Sequence, residues 1–113
     1  MKPFMKSGPN DIEHKADRFL VFAVYDEKAQ AYSKVLGVHA TVNVAIRDFT
    51  LACQNPETFY HRFPMDYSLY HLGTYDDDSG KITSFPEPRF VIRASECLEH
   101  FTQPKKEAPL ATS

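Results

Sequence analysis

One apolar run near the start of the chain most limits what it can fold into. Residues 19–25 hold three aromatic and two β-branched side chains and no charge. Seven residues are too few for a membrane helix, which needs about 20. Because polar residues do not alternate with the apolar ones, the run predicts a β-strand that is buried on both faces. We expect residues 26–31 to form a polar connector and residues 35–41 to form a shorter second strand.

A helix is predicted over residues 42–54. Five apolar residues recur there at helical spacing and therefore share one face; they are Val42, Ala45, Ile46, Phe49 and Cys53. Either Thr41 or Asn43 can serve as the N-cap, because each side-chain oxygen can accept from a free backbone N–H. This face is the predicted partner of the sheet.

A second, short helix is predicted to follow. Asn55 is a suitable N-cap and Pro56 suits the first helical turn. The helix should carry Phe59 and Phe63 on one face, since they are four residues apart. It should end at Phe63, because Pro64 disfavours the helical conformation in the residue before it.

The second half of the chain has the pattern of strands. Residues 67–75 predict a strand, and the acidic segment 76–80 predicts a hairpin turn whose glycine can adopt a positive φ. Residues 81–85 would return along it. Two prolines then interrupt the pattern before a last short strand at 90–93. A final helical turn is predicted at 96–101.

These elements predict one α+β domain, with a small antiparallel sheet of four to five strands and the main helix packed on one face. The length of 113 residues suits a single domain. Residues 1–18 are interpreted as a flexible N-terminal arm and residues 19–101 as the domain. Residues 102–113 are polar and contain two prolines, so we expect a disordered tail.

Charge is distributed unevenly along the chain. The formal net charge is −2, yet residues 28–62 carry four basic and two acidic side chains, whereas residues 63–88 carry one basic and five acidic ones. A protein that binds nucleic acid mainly through phosphates needs a basic face. The sequence therefore allows a local basic patch in its first half and excludes a generally basic surface.

Catalytic, cofactor and metal motifs are not predicted. Asp76, Asp78 and Glu87 have part of a calcium-loop spacing, but the glycine and oxygen ligands that such a loop needs are misplaced. We interpret this segment as a solvated hairpin turn. Cys53 lies on the apolar helix face and is interpreted as a core residue, and with no export signal we expect it and Cys97 to be reduced. We predict a protein that is not an enzyme and needs no cofactor or metal.

Aromatic and basic side chains alternate in the first half of the domain. Aromatic rings combined with cations bind single-stranded nucleic acid without sequence preference. The alternative is that the tyrosines only cover a half-buried sheet face with their hydroxyls in water. The residues predicted to bind nucleic acid are Lys28, Tyr32, Lys34, Arg47, Tyr60 and Arg62.

Several segments together resemble a known phage family. They occur in order over residues 21–82 and are 21–29, 31–32, 45–49, 55–57, 64–76 and 80–82. They resemble the small nonstructural proteins of gokushovirus-type microviruses, which are single-stranded DNA phages. Members of that family are described as nonstructural and often as DNA-binding proteins.

The resemblance implies an accessory protein that acts in viral DNA synthesis or in the switch to single-stranded DNA production. It implies single-stranded DNA as a partner in the host cytoplasm. No membrane partner is expected, because no apolar run approaches the roughly 18 residues that a membrane helix needs. The alternative is a protein-interaction module that recruits viral or host replication proteins without touching DNA. The charge difference between 28–62 and 63–88 suits that module, or a homo-oligomer. A continuous basic stripe with exposed tyrosines would favour DNA, and an exposed apolar sheet face would favour a protein partner.

Overall fold

The computed structural model describes residues 19–98, which form a five-stranded antiparallel sheet with helices packed against it. The predicted α+β class is confirmed. The arm and tail predicted at 1–18 and 102–113 lie outside the described residues. In chain order the elements are β1 (Phe19–Asp26), β2 (Ala31–Tyr32), β3 (Gly37–His39), α1 (Val42–Gln54), α2 (Phe59–Arg62), a 3₁₀ turn (Pro64–Asp66), β4 (Tyr67–Asp76), β5 (Lys81–Arg93) and α3 (residues 94–98).

Strand β1 lies inside the sheet, and the predicted burial on both of its faces is confirmed at Val21, Phe22 and Ala23. The short strands β2 and β3 both pair with one edge of β1, β4 pairs with the other edge, and β5 lies outside β4. The prediction of a polar connector over 26–31 was wrong at both ends, because Asp26 belongs to β1 and pairs with Ala31 of β2. A strand edge pairs through its backbone, so a polar composition did not prevent this pairing.

Helix α1 has the predicted bounds and the predicted face. The Thr41 hydroxyl accepts a hydrogen bond from the backbone N–H of Val44 at 3.1 Å. Ala45, Phe49 and Cys53 are the buried residues of the helix. Thr41 is therefore the N-cap that the sequence left open between two candidates.

Helix α2 begins later than the sequence predicts. Its N-cap is Thr58, whose hydroxyl accepts from the backbone N–H of His61 at 3.3 Å. The Asn55 side chain instead accepts from the N–H of Glu57, which closes a turn before the helix. The predicted helix start at residues 55–57 was thus wrong, although the end at Phe63 is confirmed.

The two strands predicted at 81–85 and 90–93 form one edge strand, β5, with a large bulge. Pairing with β4 moves from Gly73–Ser84 to His71–Arg89, so four residues containing both prolines lie outside the ladder. Proline lacks the N–H that a ladder needs, and an outermost strand can accommodate its absence. Gly80 has the predicted positive φ, at 76°.

The core lies between the helices and one face of the sheet. Its buried members are Phe22, Ala45, Phe49, Cys53, Leu69, Ala94 and Cys97. Helix α3 contributes the last two of these and begins at Ala94, two residues earlier than predicted. Within residues 19–98, no helix has the length and apolar character to cross a membrane.

Candidate functional site

The two faces of the sheet carry different side chains. Side chains alternate between faces along a strand, so Phe22 and Val24 of β1 point to the helices while Tyr25 points away from them. The register pairs Val24 with Leu69 on the helix side and Ala23 with Tyr70 on the other side. All the helices among the described residues pack on the side of Phe22. We call the sheet surface opposite α1 the open face.

Four aromatic rings form a cluster on the open face, one from each of four neighbouring strands. They are Tyr32 of β2, Tyr25 of β1, Tyr70 of β4 and Phe90 of β5. Tyr70 is the hub, with ring centroids 5.9 Å from Tyr25, 5.5 Å from Tyr32 and 5.8 Å from Phe90. These three contacts are edge-to-face, a favourable arrangement for aromatic pairs. The ring cluster therefore crosses the sheet without a break.

The outer two rings of the cluster are the accessible ones. Phe90 is 52% exposed and Tyr32 is 39% exposed, whereas Tyr25 and Tyr70 are half-buried between them. Partial burial, together with the neighbouring phenols of Tyr70 and Tyr25, raises the pKa of Tyr32. The Tyr32 phenol thus stays neutral and polar at neutral pH. Such rings offer flat apolar surface and hydrogen-bonding hydroxyls to a ligand.

Few charges accompany the ring cluster. Among the ladder-paired residues of 19–98, Arg93 is the one charged residue whose register places it on the open face, opposite Ser68. Its guanidinium lies 3.7 Å from a carboxylate oxygen of Glu27. Lys34 lines a cavity together with Tyr32, whereas Lys28 lines a hollow together with Phe59 and Phe63. The described part of the open face therefore has no continuous basic stripe.

The structure brings three of the six predicted binding residues around one cavity. Tyr32, Lys34 and Tyr60 line a cavity of about 260 Å³. The ring of Tyr60 lies on the helix side, 5.5 Å from Phe49 and 5.1 Å from Tyr67. Burial raises the pKa of Tyr60, and so does the neighbouring Cys53. Tyr60 is thus part of the packing beneath the helices, while Tyr32 is the predicted residue that belongs to the ring cluster.

The other three predicted residues lie apart. Lys28 is exposed in the β1–β2 turn. Arg47 is exposed on the outer side of α1, and the Arg62 side chain donates through Nε to the Pro56 carbonyl at 3.4 Å. Both arginines are on the helix side of the sheet, so they do not join the tyrosines of the open face.

Sequence reasoning missed three members of the ring cluster, namely Tyr25, Tyr70 and Phe90. A period-two pattern marks which residues of one strand share a face, but the pairing of strands decides which rings meet. Leu69 of β4 pairs with Ile92 of β5, but the register then shifts by one residue, so the next residue, Tyr70, pairs with Phe90. That register cannot be read from the chain.

The remaining reactive side chains give no second site. Within the described residues, no three His, Cys, Asp or Glu side chains come together as a metal site requires. Cys53 and Cys97 are free, buried and mutually hydrogen-bonded thiols. The hydrogen bond with Cys97, followed by burial, raises the pKa of Cys53, so this thiol is a core group as predicted.

The fold and the ring cluster define a small α+β protein whose sheet is covered by helices on one face and presents aromatic rings on the other. A family model described as Phage ORF5 protein matches residues 19–97. The chain therefore belongs to this phage protein family. No curated protein and no solved structure matches the chain. The match supports the phage part of the resemblance, while the microvirus group stays a prediction.

Proposed function

We propose that this phage protein is a binding protein, not an enzyme, and that it holds single-stranded DNA across the open face during viral DNA synthesis in the host cytoplasm. The observation that carries the proposal is the ring cluster. Aromatic side chains on an accessible sheet surface stack against unpaired bases, which every base allows because each has a flat π-face. The resemblance to nonstructural proteins of single-stranded DNA phages points to the same ligand.

In this proposal bases stack on the two outer rings, Tyr32 and Phe90. The inner rings of Tyr25 and Tyr70 hold those outer rings in place. Phe90 and Tyr32 expose the most surface, and both contact the hub ring of Tyr70. A ring fixed by neighbours loses little freedom when a base stacks on it. Lys34 lines a cavity together with Tyr32 and is placed to meet a phosphate at that end of the cluster, whereas Lys28, also predicted to bind, lies at the hollow beside Phe59 and Phe63.

The scarcity of cations has a measurable consequence. For single strands, the slope of log K against log salt is about −0.7 for each phosphate that is neutralised. A single lysine, Lys34, would give a slope of about −0.7 by this rule. We therefore expect binding that depends mostly on stacking and weakly on salt, unlike that of a basic DNA-binding protein.

The test is the affinity of a labelled mixed-sequence oligonucleotide, measured by fluorescence anisotropy at several salt concentrations. Tyr32→Ala and Phe90→Ala should each weaken binding by about 1–3 kcal/mol, whatever the base. Arg47→Ala is the matched control, because Arg47 is exposed on the opposite side of the molecule, and it should bind as the wild type does. Equal losses in the arginine variant would move the site to the helix side.

A second candidate function is the protein-interaction module. The open face also presents Val38 and Ile82, which are 48% and 56% exposed, and lacks a basic stripe among the described residues. Such a surface suits an apolar partner from the viral or host replication machinery. Absence of any binding by the wild type to single-stranded DNA at low salt would favour this function.

A further inference from the structure

A second accessible apolar surface lies at α2, away from the ring cluster. Phe59 and Phe63 are 60% and 54% exposed, and their ring centroids are 6.4 Å apart. Met65, in the 3₁₀ turn that follows, is 59% exposed. These three side chains are here called the α2 patch. Large apolar side chains that are grouped at a surface mark a contact with another molecule.

The α2 patch borders a hollow of about 350 Å³. Phe59 and Phe63 line it together with Tyr67, Lys28, Asp26 and Asp66. The hydrogen bond from the Glu27 N–H to the Asp66 carbonyl, at 2.8 Å, holds the end of β1 against the 3₁₀ turn and thus fixes one wall. Protruding rings and an apolar hollow therefore occur on the same surface.

We propose that the α2 patch is the contact surface of a two-fold symmetric dimer of this chain. In such a dimer both copies use the same surface, so the surface must be complementary to itself. The α2 patch carries both parts that such a contact needs, exposed rings and a hollow of about 350 Å³ beside them.

The charges around the hollow meet the same condition. Lys28 supplies an ammonium group, and Asp66 and Asp26 supply carboxylates. The Asp26 carboxylate already accepts from the backbone N–H groups of Lys28 and Ala29, so Asp66 is the carboxylate that can receive Lys28 of a second copy. A nucleic acid would meet two carboxylates and one ammonium here, which disfavours it as the occupant.

The dimer leaves both open faces accessible, because the α2 patch is formed by elements of the helix side. Three large side chains form a contact at the small end of specific interfaces, below about 1,200 Å² of total buried surface, so we expect a weak, transient dimer. This inference does not depend on the proposed function. If both hold, one strand that reaches two open faces would bind more tightly than to a single copy.

The experiment is sedimentation equilibrium of the full chain over a wide range of micromolar concentrations. The wild type should show a monomer–dimer equilibrium, and Phe59→Ser or Phe63→Ser should raise the dissociation constant at least tenfold. Leu51→Ser is the matched control, because Leu51 is equally exposed at 59% but lies on α1 outside the patch, and it should leave the equilibrium unchanged. Circular dichroism shows whether each variant keeps its fold.

A charge exchange tests the pairing across the interface. Lys28→Asp should weaken the dimer, and adding Asp66→Lys to it should restore the dimer. A wild type that stays monomeric at the highest concentration would overturn the proposal and leave the α2 patch to a different protein. A dimer that survives both serine variants unchanged, or one that Leu51→Ser weakens equally, would also overturn it.

Discussion

The two faces of the sheet differ although the same strands build both. On the helix side, Phe22 is 1% exposed and packs within a core that includes both cysteines and Phe49. On the open face, Phe90 is 52% exposed and Tyr32 is 39% exposed, and the ring of each contacts the ring of Tyr70. Alternation along each strand therefore places the helix-side core and the exposed rings on opposite sides of the sheet. Substitutions on the two faces should accordingly have different effects.

The largest effect on stability is expected from the helix side. Phe49 is 5% exposed at the centre of the core. Phe49→Ala should lower the free energy of unfolding by about 3–5 kcal/mol, because it removes a buried ring and leaves a cavity. Urea denaturation followed by circular dichroism measures this. An unchanged midpoint would show that the helix does not pack through this ring.

The next largest effect on stability is expected from a substitution at Gly73 in β4. A Cβ placed on Gly73 would lie 2.1 Å from the backbone oxygen of Thr83 in the neighbouring strand. Gly73→Ala should therefore push β4 and β5 apart and cost about 1–3 kcal/mol or more, as overpacking does.

Gly37→Ala is the control for this effect. A Cβ on Gly37 would approach only the movable His39 side chain, at 3.0 Å. We expect this variant to keep most of the wild-type stability. Equal losses in both variants would mean that the close approach of β4 and β5 is not what requires glycine.

A smaller effect on stability is expected from the open face. Phe90→Ala removes one edge-to-face ring pair, with Tyr70, at a half-exposed site. Such a pair contributes about 0.5–1.5 kcal/mol, so the unfolding midpoint should shift far less than for Phe49→Ala. A loss as large as that of Phe49→Ala would remove the distinction between the faces.

The smallest effect concerns pH. His71 donates through Nε2 to the Gly73 carbonyl at 3.0 Å and stacks on Phe22. Burial, and to a lesser degree the nearby Arg89, lowers the pKa of His71 below its ordinary 6.5. The unfolded chain then binds a proton at a higher pH than the folded protein does. This contribution to stability is present above about pH 6.5 and is lost as the pH falls through the folded pKa.

Thermal melts at pH 7 and pH 5 measure this contribution. The wild type should melt at a lower temperature at pH 5, and His71→Gln should reduce the difference because glutamine keeps a donor but does not titrate. A pH dependence that is identical in the variant would assign the effect to other groups.

Much of the fold follows from local patterns in the sequence, and less of the site does. The apolar run of β1, the periodicity of α1 and Gly80 in the hairpin each fix their element from nearby residues. The start of α2 was mispredicted because Asn55 and Thr58 are both good caps, and it is the Thr58 hydroxyl that caps the helix, lying also 3.0 Å from the Ala52 carbonyl of α1. Tyr32 was predicted as a binding residue, yet its partners Tyr70 and Phe90 were not, since bulges set their register. Arg47 and Arg62 are close in the chain to aromatic residues but lie on the other side of the sheet.

Binding of DNA at the ring cluster can be located by an NMR titration of the isotope-labelled protein with a short single-stranded oligonucleotide. We expect shifts in the ring and backbone signals of the ring cluster, with Arg47 and the rest of α1 unaffected; the cluster residues are Tyr25, Tyr32, Tyr70 and Phe90. Shifts confined to the helix side around Arg47 and Arg62, or no shifts at low salt, would contradict binding at the ring cluster.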